Sequence, residues 1–182
     1  LKAVAGATRV RSVAGPSGGL GIASLAFVQV LVLAVWLGAM MFFSFVVAPS
    51  AFAVLPTREL AGALVTSVLS KTDLAGLAAG PFLMILIALS WKADRSRTTN
   101  KVIRIILLAV MSGAAALSRL FITPSMVSLR ESMGGLIDDV PLEDPLRVQF
   151  DQFHQYSVAV MSLAIFAGLI VLFLTVASWS RR

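Results

Sequence analysis

Four long apolar blocks, at about residues 20–47, 74–91, 102–122 and 157–179, constrain this chain more than any other feature. A helix needs about 20 apolar residues to cross the hydrocarbon core of a bilayer, and each block approaches or exceeds that length. Three blocks hold no Asp, Glu, Lys or Arg; the block at 102–122 holds only Arg104 and Arg119. In lipid every backbone polar group must pair within the protein, which favours helices for such blocks. The expectation is an all-α integral membrane protein, a bundle of four transmembrane helices.

The chain has 58% hydrophobic and 13% charged residues, whereas a soluble domain carries about 25% charged residues to coat its surface. It has no Cys, which excludes disulfides and thiolate metal sites, and a single His. The net charge of +6 raises the question of nucleic acid. The basic residues flank the apolar blocks rather than interleaving with aromatics on one surface, so topology explains them and no nucleic-acid partner is expected.

Residues 1–19, with Lys2, Arg9, Arg11 and the run Gly-Pro-Ser-Gly-Gly at 15–19, suggest a flexible basic cytoplasmic tail. Residues 20–182 form one transmembrane domain. A signal peptide has an apolar core of about 7 to 15 residues, and the first block is far longer, so it is expected to span. Pro49 is expected to end the first helix and Pro81 to kink the second, which Thr72 or Asp73 caps. Asp144 and Pro145 suit the cap and first position of a fourth helix extended outward from about residue 145. Residues 55–70 carry Leu60, Leu64 and Val68 at helical spacing, which predicts a short extra helix in the first outer connection.

Cytoplasmic loops hold an excess of Lys and Arg. The tail, the second connection (Lys92, Arg95, Arg97, Lys101, Arg104) and the C-terminus (Arg181, Arg182) are basic, while the third connection is acidic, with Glu131, Asp138, Asp139, Glu143, Asp144 and Asp151. Both termini are therefore expected in the cytoplasm, with a bacterial inner membrane as the location. Small-residue pairs at Ala34/Gly38, Gly76/Gly80, Ala109/Gly113 and Ala164/Gly168 suit close helix packing.

His154 shares a helix face with Phe150, Ser157 and Met161. It is a candidate ligand for a metal, haem or pigment, or a proton carrier; the competing reading is a hydrogen-bonded histidine that ties two helices together. No dedicated metal site is expected, because spacing supplies no further ligands. Arg119 is an ionisable residue near the outer end of a span, hence a functional candidate, although its stem can also snorkel and pair with Asp151. Gln29 suits a bond across helices. The acids at 138–144 match no calcium loop and read as solvated. With no nucleophile motif, phosphate loop or zinc signature, no enzyme is expected.

Three stretches carry a family resemblance. The first is residues 36–49, Trp-Leu-Gly-Ala-Met-Met-Phe-Phe-Ser-Phe-Val-Val-Ala-Pro, continuing through Phe52, Leu55, Arg58 and Ala61-Gly62. The second is Arg119-Leu-Phe-Ile-Thr-Pro124 with Leu129-Arg130; the third is Phe150, Phe153-His154 and Ser157. In this ordered set the chain resembles the TMEM205-like, or DUF4149, family of small four-helix membrane proteins. The resemblance implies a four-helix bundle without a defined activity, and often an Asn where this chain has Met161. Pro49, Pro124 and His154 are all expected at the outer end, where they and Arg119 and Ser157 form a site or shape the helix ends.

Two functions compete. One is an accessory or structural subunit that docks on a larger membrane complex among membrane lipids, with His154 ligating a pigment or haem at the interface. The other is a stand-alone protein handling an ion, metal or small solute through the outer-face site. Spans nearly free of ionisable residues favour the subunit, because a solute path needs polar lining.

Overall fold

Two side-chain caps set the helices that run back from the third and first connections. Asp144 Oδ1 accepts from the Leu146 N–H at 2.8 Å, and Thr57 Oγ1 accepts from the Leu60 N–H at 3.2 Å. Each satisfies an N–H that has no partner within the first helical turn. The computed structural model describes residues 17–92, 94, 96–134 and 137–179. Most of the basic tail, residues 1–16, and the C-terminal 180–182 lie outside the described residues.

Four helical rods carry the apolar blocks, and no strand occurs among the described residues. The first consists of α1 (Ser17–Phe42), a π segment (Phe43–Val47) and α2 (Ala48–Val54). The second is α3 (Arg58–Leu89). The third consists of α4 (Thr98–Leu117), a second π segment (Ser118–Ile122) and α5 (Thr123–Ser132). After a short 3-10 turn (Ile137–Asp139), α6 (Pro145–Trp179) is the fourth, beginning where Asp144 and Pro145 place it.

Neither Pro49 nor Pro124 ends its rod. A proline lacks the N–H of the helical ladder, and its ring presses on the carbonyl four residues back. Those carbonyls belong to Phe45 and Leu120, and both lie inside π segments. There the ladder widens: the Ala48 N–H donates to the Phe43 carbonyl and the Thr123 N–H to the Ser118 carbonyl. The wider turn absorbs the proline without breaking the helix.

The expected extra helix over 55–70 is helical from Arg58, but it is the first half of α3 rather than a separate element. Thr72 and Asp73 therefore lie in mid-helix and cap nothing. The Thr72 hydroxyl donates to the carbonyls of Leu69 at 2.8 Å and Val68 at 3.3 Å, so this polar side chain is satisfied without a helix end.

The rods form a ring in which α1 and α4 each pack on α3 and α6. Leu33, Met40, Leu83, Ile87, Leu108, Met111 and Val171 fill its centre and are almost fully buried. Four segments, Ala23–Val54, Arg58–Leu89, Thr98–Ser132 and Pro145–Ser178, are long and apolar enough to cross a membrane. No more than a third of each apolar stretch is buried inside the protein, so the remaining apolar surface calls for lipid. Of the small-residue pairs, Gly76 lies under Trp36, Gly80 under Ser112 and Gly168 under Leu37, whereas Gly38 and Gly113 face outward with nothing near.

Candidate functional site

At the end of the bundle that bears both π segments, a carboxyl group is buried between α3 and the third rod. Asp73 is only 5% exposed, and its Oδ2 accepts from the Ser118 hydroxyl at 2.6 Å. Ser118 opens the second π segment, so the wider turn that accommodates Pro124 begins at the residue that meets the acid. The next residue, Arg119, donates from one Nη to both the carbonyl and the hydroxyl of Ser70, at 2.8 and 2.6 Å. Its charge also acts on Asp73. Trp36 of α1 closes the cluster by donating its Nε1–H to the Thr72 carbonyl at 3.3 Å.

Ser44, in the first π segment, donates to the Met40 carbonyl at 2.8 Å and meets Met161 Sδ of α6 at 3.6 Å. Met161 thus occupies, with a weak acceptor, the position where the resemblance leads one to expect an Asn. Farther along, Arg130 lies with its guanidinium 5.8 Å from the centre of the Phe150 ring. A Cβ on Gly62 would come within 2.8 Å of that guanidinium. All three stretches behind the family resemblance therefore meet at this end.

The five residues singled out from the sequence fare differently. Arg119 is engaged, but with Ser70 and near Asp73; Asp151 instead pairs with Arg147 at 3.5 Å. Pro49 and Pro124 follow the two π segments. His154 is exposed and Ser157 half-buried, and among the described residues neither side chain has a hydrogen-bond partner. No three His, Asp or Glu side chains converge as a metal site among the described residues.

Asp73 was not legible as a site residue. It closes a polar run, Ser70-Lys71-Thr72-Asp73, that resembles a helix start. The available signal was an acid abutting an apolar block with Gly76 and Gly80 beyond it on the same face.

A second polar cluster lies at the opposite end. Arg104 of α4, 2% exposed, donates to Asp94 Oδ2 at 3.3 Å and to Gln29 Oε1 of α1, which is the bond across helices that Gln29 suits. Lys101 donates to the Trp91 carbonyl at 2.6 Å and lies 5.2 Å from the centre of the Trp91 ring. Burial pushes the Asp94 carboxyl up, but hydrogen bonds from Ser96 and the charges of Arg104 and Lys101 outweigh it and hold the group below the usual carboxylate range. Ser118 and Arg104 are fourteen residues apart on one rod, about 21 Å at 1.5 Å per residue. Leu108 and Met111, both fully buried, separate them.

A family model described as a domain of unknown function, DUF4149, matches residues 31–134. The chain belongs to the DUF4149 family. The DUF4149 match covers the Asp73, Ser118 and Arg119 cluster, both π segments and both prolines, and stops before His154 and Ser157. No curated protein and no solved structure matches the chain.

Proposed function

We propose that this DUF4149 protein is a non-enzymatic, TMEM205-like membrane protein that handles an ion or small solute, with Asp73 as the responsive group. The observation that carries this reading is a carboxyl buried inside a span-length helix, bonded to a hydroxyl of the neighbouring π segment, with Arg119 beside it. An ionisable group in such a segment is costly, and it is retained chiefly along ion or substrate paths. An accessory subunit suits spans nearly free of ionisable side chains. Asp73 and Arg104, both buried within span-length segments, fit a subunit of that kind less well.

The central apolar layer of Leu33, Leu83, Ile87, Leu108 and Met111 separates the two polar ends, so we read this conformation as closed. The basic-residue pattern orients the Asp73 end outward from a bacterial inner membrane and puts both termini in the cytoplasm. Single cysteines at Ser96 and Asp139 are expected to label from opposite sides; labelling from one side contradicts that orientation.

Trp36 reports on the site through Thr72. With Trp91 and Trp179 replaced by Phe, Trp36 fluorescence is expected to change saturably on titration with protons, or with monovalent or divalent cations. The Asp73→Asn variant is expected to lose the response. Equal titrations of the two proteins reject Asp73 as the responsive group.

A second reading keeps one observation: the exposed His154 ring has no partner among the described residues, as befits a ligand for a haem or pigment shared with another subunit. A pigmented assembly after gentle detergent extraction supports that reading. A colourless, small particle supports the solute handler.

A further inference from the structure

The cluster around Arg104 contains more positive than negative charge, and the chain has no other acid at that end. Lys101 and Arg104 are 5% and 2% exposed, and both act on one carboxyl, Asp94. Of the nine Asp and Glu residues, Asp94 alone lies in or beside this connection. Glu59 and Asp73 lie in the first half of α3, and the other six follow the second π segment. A buried cation without a counter-charge is strongly unfavourable. One positive charge is in excess over Asp94, and an anion from outside the chain suits it.

The donors that would receive it are also present. The Arg104 guanidinium binds Asp94 and Gln29 through its two terminal nitrogens, while its buried Nε–H has no hydrogen-bond partner. The Lys101 ammonium, with three N–H donors, gives one to the Trp91 carbonyl. Lys101 and Arg104 are three residues apart on α4 and so project from neighbouring positions of one face. Trp91, with exposed Lys92 and Arg97 nearby, fits the headgroup level of a membrane surface.

We propose that Lys101 and Arg104 form a binding site for a phosphate group, carried by an anionic lipid headgroup or free in solution. Charge-assisted bonds from the Arg104 Nε–H and the two remaining Lys101 donors hold the phosphate oxygens. Asp94 competes with it for the same cations. This site lies at the opposite end from Asp73 and is independent of the reading given above for that residue.

The test uses the whole chain in phosphate-free maltoside micelles, with thermal unfolding followed against added phosphatidylglycerol or inorganic phosphate. A saturable rise in the unfolding midpoint is expected with at least one probe. A rise with phosphatidylglycerol alone identifies a lipid headgroup, and a rise with inorganic phosphate identifies the free ion. Removing one donor in Lys101→Gln is expected to weaken binding about tenfold, and removing the competitor in Asp94→Asn to tighten it by about the same factor. Lys92→Gln, at an exposed neighbour, is expected to leave it unchanged. No rise with either probe overturns the proposal, as does an Asp94→Asn affinity equal to that of the wild type; the latter decides even where Lys101→Gln does not fold.

Discussion

The two ends of the bundle bury charge in opposite ways. At one end the Arg104 guanidinium, beside a second buried cation, Lys101, joins α1 and α4 to the connection between α3 and α4, with Gln29 and Asp94 as acceptors. At the other, Asp73 has one hydroxyl partner in Ser118, and among the described residues it forms no ion pair, while Arg119 is occupied with Ser70. Arg104 is a tether whose loss leaves a carboxyl stranded. Asp73 is an acid with few commitments, placed where the helical ladder is already widened. A group that must gain and lose a ligand needs the second arrangement, and a joint that holds helices together needs the first.

Mutating the tether is the strongest way to break this contrast. Arg104→Met removes both bonds and leaves Asp94 buried without its main counter-charge, and it is expected to cost about 3 to 5 kcal/mol. Chemical unfolding in mixed micelles measures it; a loss below that of Asp73→Asn reverses the ranking of the two ends.

Next in size is Gly80→Ala, because a Cβ there would clash with Ser112 Oγ and lie 3.3 Å from the Leu108 carbonyl oxygen. Overpacking of this kind costs about 1 to 3 kcal/mol. Gly113→Ala, with nothing near the new methyl, is the matched control and is expected to leave the unfolding midpoint unchanged.

Asp73→Asn is expected to be nearly neutral for stability, within about 1 kcal/mol, since an amide oxygen still accepts from Ser118. Loss of the Trp36 response with the fold intact sharpens the contrast, whereas unfolding of the variant shows Asp73 to be a tether as well.

The smallest effect is the pH dependence of the Arg104 end. The folded Asp94 carboxyl is held below its unfolded value, so its contribution is complete above the ordinary aspartate pKa of about 3.9 and fades as pH falls through the folded value. Wild-type stability is expected to decline more steeply below about pH 4 than that of Asp94→Asn. Parallel curves mean that Asp94 is not stabilised by its cations.

Much of the fold was legible in the sequence because lipid imposes a simple rule. Apolar length alone located all four spans, and Asp144-Pro145 located the start of α6. The same reading of polar residues and prolines as helix ends does not hold at Thr72, Asp73 and Pro49. Thr72 satisfies its hydroxyl on its own helix, so α3 runs through a polar stretch. Pro49 and Pro124 are absorbed by π turns that no spacing rule announces.

The candidate site was legible only in part, for a related reason. Arg119 stood out as a charge inside an apolar block, but its partner Ser70 and its neighbour Asp73 lay in a stretch assigned to a connection. Gln29 was recognised as a residue that bonds across helices. Its partner Arg104 lies where an apolar block meets a basic connection, and sequence does not distinguish a basic residue that snorkels to water from one that turns inward to an acid.

Infrared difference spectroscopy with isotope-labelled aspartate tests the central claim most directly, by following carboxyl bands as the ion or solute that drives the Trp36 response is added to protein in bilayers. A saturable band shift that vanishes in Asp73→Asn is the predicted result. The same difference spectrum from both proteins would contradict it.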